Sequence, residues 1–184
     1  MSSAQADLRS NARVRPILAV AAVLSLVLWF IEIDRAFDLP AHPLLLHVPL
    51  VFVPILGLAA IAVALTDRHA IPVTAFAILT LACTLLTAGA GEAFLERLQR
   101  ELPRLAENPT MRDHADAGDL LRFTVFALTF TLVGVLFAAR NALRIVLRML
   151  AVLLALIAIF YTFRTGHLGA KLAWGEDRPA RIQQ

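Results

Sequence analysis

Five long blocks of apolar, nearly uncharged residues dominate the chain. The blocks cover residues 16–33, 43–65, 70–89, 120–139 and 145–163. Because about 20 such residues cross a bilayer core about 30 Å thick, each block predicts a transmembrane helix. The fifth is the least regular, since Arg148 lies near its start, although an arginine at that depth can extend to the lipid headgroups. The first also resembles a signal peptide, but no small-residue cleavage pattern follows it, which favours a retained helix.

The connections between the blocks predict how the helices are arranged. Residues 66–69 and 140–144 are short connections, which make antiparallel neighbours of the helices that they join. We therefore predict an all-α integral membrane protein with five transmembrane helices, of which the last four form an up-down bundle.

The long connection between the third and fourth blocks, residues 92–118, has a helical pattern of its own. Leucines recur in it at helical spacing with charges between them: Leu95, Leu98, Leu102 and Leu105. Pro103 can bend this segment, and Asn108-Pro109 is typical of a helix cap followed by proline at the first helical position. We expect the third and fourth helices to continue outward as a helical hairpin. A flexible charged loop is the alternative.

Composition agrees with a membrane protein. Of the 184 residues, 59% are hydrophobic and 17% are charged, whereas a soluble domain carries about 25% charged residues. The formal net charge of +3 fits contact with anionic lipid, and no nucleic-acid-binding motif is present. Cys83 is the only cysteine, which excludes a disulfide framework within the chain.

Arginines in the short connections predict the orientation in the bilayer. Seven fall on one side of the predicted bundle: Arg9, Arg13, Arg15, Arg68, Arg140, Arg144 and Arg148. The opposite side has Arg35 in its short loop and several arginines in the long segment 92–118, which weighs less in this rule. We expect the N-terminus in the cytoplasm and the C-terminus outside.

Most of the polar chemistry falls on the predicted outer face. Four of the five histidines and two glutamates come at the ends of four different spans: His42, His47, His114, His167, Glu92 and Glu96. Only His69 is expected on the other face. Histidines that merely contact interfacial backbone and headgroups are the alternative interpretation.

Helical spacing limits how these side chains combine. His42 and His47 are five residues apart, about 140° of rotation around a helix, so the two rings are not expected to bind one ion together. Each would bind with a partner from another helix. Glu92 and Glu96 lie on one face, and Gly89-Ala-Gly91 permits close approach to the backbone.

Neutral imidazoles are ligands for haem iron and for Fe, Cu or Zn ions, and carboxylates serve as further ligands or as acceptors for them. Haem b in a helix bundle needs two axial histidines on facing helices and small residues that admit the ring. Candidates for the small residues are Gly57, Gly89, Gly91 and Gly134. The Glu-x-x-His pairs of di-iron bundles are absent from the sequence.

The segment His42-Pro-Leu-Leu-Leu-His-Val-Pro49 resembles the His-Pro-x-x-x-His-Phe-Pro opening of a bacterial integral-membrane family, the domain of unknown function 2231. Val48 stands here in place of phenylalanine. Gly91-Glu92, followed by Glu96, is similar to a Gly-x-Glu-type stretch of that family, and His114 is similar to the histidine before its third helix.

The closing Gly-rich motif of the family is similar to Thr165-Gly-His-Leu-Gly169 with Leu172, although its end is loose. Asp116 falls where an acidic pair directly after the histidine is common. The resemblance covers about residues 40–175 and leaves the first helix as an addition. It implies that these histidines and glutamates recur as a set, and it carries no established activity.

The sequence thus predicts four segments: a cytoplasmic tail (1–15), an additional transmembrane helix (16–33), a four-helix membrane domain (40–175) and a C-terminal tail (176–184). The resemblance and the arginine distribution together indicate a multi-pass protein of the bacterial inner membrane.

The functional expectation is an outer-face site that binds haem b or a transition-metal ion, for electron transfer or metal handling. The candidate ligands, in order, are His47 and His114, then His42 and His167, with Glu92 and Glu96 as ligands or acceptors. A membrane redox protein or respiratory complex is the expected partner, besides the lipid bilayer. An enzyme is disfavoured because no nucleophile or base stands in a recognisable arrangement.

Two alternatives stay open. One is a structural membrane subunit or assembly factor without a cofactor. The other is a small transporter, which the lack of an ionisable residue deep in a span disfavours.

Overall fold

The computed structural model describes residues 3–66, 68–102, 107–139 and 141–175, with side chains from residue 13 onward. Five helices in this part are long and apolar enough to cross a membrane, which confirms the predicted number of spans. The expectations for Pro103 and for the tail 176–184 fall outside the described residues.

Six α-helices make up nearly all of the described structure. They are α1 (Ser3–Ser25), α2 (Ala41–Leu45), α3 (His47–Thr66), α4 (Ala70–Glu101), α5 (Pro109–Phe137) and α6 (Asn141–Trp174). A 3-10 segment, Leu26–Phe30, continues α1, and α2 and α3 together form the second span. Since α1 begins at Ser3, part of the segment expected as a tail is helical.

The last four long helices form the predicted up-down bundle. Helix α3 packs against α4 and α6, and α5 packs against the same two helices, while α1 lies against α4 and α5. Alanine and leucine fill the core, as in the cluster of Leu56, Ala60, Ala77, Leu128 and Ala155. Small residues let helix backbones approach closely in the absence of a hydrophobic driving force between lipid-embedded helices.

Buried threonines satisfy their hydroxyls within their own helices. Thr84 Oγ1, for example, donates to the Thr80 carbonyl at 2.8 Å, and Thr129 Oγ1 donates to Val125 at 2.8 Å. Such bonds to the preceding turn permit a hydroxyl inside an apolar bundle without an orphaned donor.

The long connection between spans three and four is a helical hairpin, as predicted. Helix α4 continues to Glu101, and α5 begins at Pro109. Asn108 caps α5, with its Oδ1 accepting a hydrogen bond from the Thr110 backbone N–H at 2.8 Å. We call the end of the bundle with this extension the hairpin end, and the end with the connections near residues 66–70 and 139–141 the loop end.

A small antiparallel hairpin joins the first helix to the bundle at the hairpin end. Its strands, β1 (Arg35–Ala36) and β2 (Leu39–Pro40), pair Arg35 with Pro40. Phe37 and Asp38 form the turn with positive φ angles of 52° and 62°, and Arg35 Nη2 donates to the Asp38 carbonyl at 2.6 Å. The turn directs the chain back toward α2, where the first candidate histidine lies.

A histidine pair as the candidate metal centre

His42 is positioned by its contact with α4. Its Nδ1 lies 3.0 Å from the carbonyl oxygen of Thr87, and its ring packs against Gly91, one turn further along α4. A carbonyl oxygen only accepts hydrogen bonds, so Nδ1 carries the proton and donates it. The neutral ring therefore keeps its lone pair on Nε2.

Pro49 leaves the Leu45 carbonyl, three residues after His42, open to a second contact with Thr87. Pro49 has no backbone N–H and cannot donate to the Leu45 carbonyl one turn earlier. Thr87 Oγ1 donates its proton to the Cys83 carbonyl at 2.8 Å and shares it weakly with the Leu45 carbonyl at 3.4 Å. Thr87 thus holds α2 through its hydroxyl and holds the His42 ring through its main chain.

His114, in the first turns of α5, contacts α6 in the same way. Its Nδ1 lies 3.0 Å from the carbonyl oxygen of Thr165 and donates to it. Its ring packs against Gly169, again one turn beyond the acceptor. We call each pair of a carbonyl acceptor and the glycine one turn later a histidine seat: Thr87 with Gly91 for His42, and Thr165 with Gly169 for His114.

Both seats share a Thr-x-x-x-Gly pattern, in Thr87 to Gly91 and in Thr165 to Gly169. A helical side chain leans toward the N-terminus and covers the preceding turn. A glycine four residues after an acceptor therefore uncovers that carbonyl for an imidazole. A Cβ at Gly91 would lie 3.0 Å from His42 Nδ1, and one at Gly169 would lie 3.1 Å from His114 Cε1.

The two seats bring the imidazoles together. The ring centroids of His42 and His114 are 6.0 Å apart, and the ring planes are inclined by 83°. Both rings are partly buried. The pair thus places two oriented imidazoles, each with a lone pair on Nε2, between α2 and α5.

An unsatisfied hydroxyl accompanies the pair. Thr165 Oγ1 is buried and has no hydrogen-bond partner among the described residues, while its carbonyl binds His114. An orphaned buried hydroxyl at this position is the kind of group that a bound water or ligand completes.

The other predicted ligands lie elsewhere. His47, His167 and Glu96 are exposed, and the Glu92 carboxylate binds Arg122 at 2.6 Å. His42 is partly buried, whereas His47 is exposed. Within the described part of the chain, no three His, Cys, Asp or Glu side chains group as metal ligands.

Arg122 is a buried cation that the sequence reasoning did not single out. It lies in α5 with its side chain 9% exposed, and its guanidinium binds Glu92 and also Asp119 at 2.8 Å. The Trp29 ring from the 3-10 segment lies 4.7 Å from the guanidinium carbon. Its position within the block 120–139 was the available signal, since an arginine in an apolar span is retained only where partners surround it.

The sequence also did not identify Thr87 and Thr165 as acceptors, because each accepts through its backbone carbonyl oxygen and not through its side chain. The recurring Thr-x-x-x-Gly spacing was the signal in the sequence that could have found both seats.

The comparisons with known proteins identify a family. The family model described as "Predicted membrane protein (DUF2231)" matches residues 38–177. The chain belongs to this family. The match includes both histidine seats and Arg122 but begins after Trp29, so the first helix and Trp29 lie outside the family domain. The chain matches no curated protein and no solved structure.

Proposed function

We propose that His42 and His114 bind the iron of haem b as its two axial ligands, in an integral-membrane protein that transfers electrons. The observation that carries the proposal is the ring-to-ring approach of 6.0 Å between imidazoles on two different helices. Each ring is oriented by a backbone acceptor at Nδ1, the arrangement that metal-bound histidines use to fix their tautomer.

The ring separation suits a shared metal. Two imidazoles that coordinate one metal from opposite sides at about 2.0–2.1 Å have centroids roughly 6 Å apart. The observed separation is 6.0 Å, with the ring planes inclined by 83°.

The number of protein donors favours haem over a bare ion. Structural zinc sites use four protein ligands, and catalytic zinc sites use three. Here the described residues supply two imidazoles and no third grouped donor. Haem iron needs only axial ligands from the protein, because the macrocycle supplies the other four nitrogens. Gly91 and Gly169 make room for the two imidazoles against α4 and α6.

Two protein axial ligands favour electron transfer over catalysis. If His42 and His114 both held the iron, the haem would supply electron-transfer chemistry and would leave no position for a substrate. The distribution of arginines supports an orientation with the hairpin end at the outer face of the inner membrane. A membrane redox protein or respiratory complex that meets this face is the expected partner.

Haemin titration of the purified full-length protein in detergent tests the proposal. We expect a Soret shift that saturates at about one haem per chain and disappears in the His42→Ala and His114→Ala variants, since each supplies one axial bond. His47→Ala and His69→Ala are matched controls, because both histidines are exposed. Binding that survives in both site variants, or a wild type that takes up no haem, would overturn it.

A parallel titration with Cu and Zn ions tests the transition-metal alternative with the same variants. If haem and both ions fail to bind while the helical signal of the wild type is intact, the histidines act as interhelical hydrogen-bond donors in a structural subunit. Far-ultraviolet circular dichroism of each variant separates lost binding from lost folding.

A further inference from the structure

A second site lies at the loop end of the bundle, opposite to the histidine pair. An open cavity of about 400 Å³ is lined there by residues from four helices, among them Arg15, His69, Val135 and Arg144. The two arginines come from α1 and α6, and His69 immediately precedes α4. This juxtaposition depends on the packing of α1 on the bundle.

Two of the side chains that line the cavity are basic. Arg15 and Arg144 line it, and no acidic side chain does so among the described residues. Arg144 Nη2 donates to the Ala138 carbonyl at 2.9 Å, which holds its guanidinium beside the end of α5.

The start of α4 adds to this positive charge. His69 has a left-handed conformation with φ of 61°, it forms no side-chain cap, and the first turn of α4 contains no acidic residue. The first backbone N–H groups of a helix have no intrahelical acceptor and carry partial positive charge. At the start of α4 these are the N–H groups of Ala70 and Ile71, because Pro72 has none and Val73 donates to the His69 carbonyl at 3.1 Å. Both residues line the cavity together with the two arginines.

The cavity wall also includes the apolar residues Ile71, Pro72, Val135 and Leu136. A small soluble anion needs no such wall, whereas a phospholipid presents a phosphate and its apolar glycerol ester region together. Basic pockets between transmembrane helices bind anionic headgroups in this way.

We propose that the loop-end cavity binds a phosphate group, and that the source is an anionic phospholipid. Arg15 and Arg144 pair with the phosphate, the start of α4 donates backbone N–H groups, and the apolar wall contacts the lipid below its headgroup. Because α1 supplies Arg15, the bound lipid also ties α1 to the four-helix domain.

Lipid retention by the full-length protein, measured by native mass spectrometry from detergent, tests the site. We expect retention of phosphatidylglycerol in preference to phosphatidylethanolamine, and a loss of about fivefold in affinity for Arg15→Gln, since one basic residue is worth that much near an anionic headgroup. Arg13→Gln is the matched control: it removes the same charge from the same helix, at an exposed position that does not line the cavity. Arg144→Gln should weaken binding in the same direction.

A second arm distinguishes the source of the phosphate. If inorganic phosphate alone raises the melting temperature of the wild type but not of Arg15→Gln, and phosphatidylglycerol is not retained, the phosphate site stands but the lipid source is wrong. Equal effects of Arg15→Gln and Arg13→Gln in both arms would overturn the site itself. Neither result depends on haem, so this proposal and the histidine proposal fail separately.

Discussion

The ring centroids of His42 and His114 lie 6.0 Å apart, although the two histidines come from different helices that are distant in the sequence. Each ring reaches this position by donating to a threonine carbonyl and lying against the glycine one turn later. The geometry of the pair therefore depends on α4 and α6, which contribute acceptors and space but no candidate ligand side chain to the pair itself.

Alanine at either glycine seat should displace the corresponding ring. A Cβ at Gly91 would lie 3.0 Å from His42 Nδ1 and one at Gly169 would lie 3.1 Å from His114 Cε1. Overpacking of this kind costs about 1–3 kcal/mol. We expect Gly91→Ala and Gly169→Ala to lower thermal stability in detergent and to weaken haem binding in the titration described above.

Gly118→Ala is the control for this prediction. Gly118 also lies within a helix, but a Cβ there meets no atom within 4 Å. Alanine in a helix interior is favoured over glycine by roughly 0.5–1 kcal/mol, so this variant should melt at an equal or higher temperature. The seat interpretation fails if all three variants behave alike.

Much of the fold could be predicted from hydropathy and loop length. The five spans, the helical hairpin and the Asn108 cap follow from local patterns, and the structure has each of them. These features depend on neighbours in sequence, which is why they were accessible.

The partners of the candidate ligands depend on which helices adjoin and on their rotation, and this information is not local. The sequence ranked His47 with His114 as the first pair of ligands, whereas the ring beside His114 in the structure is that of His42. The distinction is set by Thr87, which binds the His42 ring through its carbonyl, while His47 is exposed.

Replacing Arg122 by methionine should destabilise the protein. The guanidinium makes two charged hydrogen bonds, to Glu92 and Asp119. A hydrogen bond to a charged group contributes about 1.5–3 kcal/mol to the free energy of unfolding. The carboxylates are 44% and 54% exposed, so hydration offsets part of this. We expect a clear fall in the melting temperature, with Arg112→Met, at an exposed position of the same helix, close to wild type. A stable Arg122→Met protein would show that the cluster contributes little.

Trp29 and Arg122 should be energetically coupled. The guanidinium carbon lies 4.7 Å from the ring of Trp29, and a largely desolvated cation–π contact contributes about 1–2 kcal/mol. A double-mutant cycle with Trp29→Leu and Arg122→Met, read by thermal unfolding, should give a coupling energy of this sign and size. Strict additivity of the two changes would contradict an attachment of the first helix through this contact.

Removal of the α5 cap should loosen the hairpin end. Asn108 Oδ1 accepts from the Thr110 N–H at 2.8 Å, and replacing an asparagine cap by alanine costs about 1 kcal/mol. We expect faster amide hydrogen exchange in the first turn of α5 for Asn108→Ala. Asn108→Asp retains a cap acceptor and should exchange as the wild type does; equal protection in all three proteins would show that the cap is dispensable.

The visible absorption spectrum of the full-length protein as isolated in detergent, with its iron content measured on the same sample, tests the central claim most directly. We predict a Soret band, iron at about one atom per chain, and loss of both in His42→Ala and His114→Ala while His47→Ala retains them. A folded wild-type protein that is colourless, free of iron and unable to take up added haemin would contradict the account.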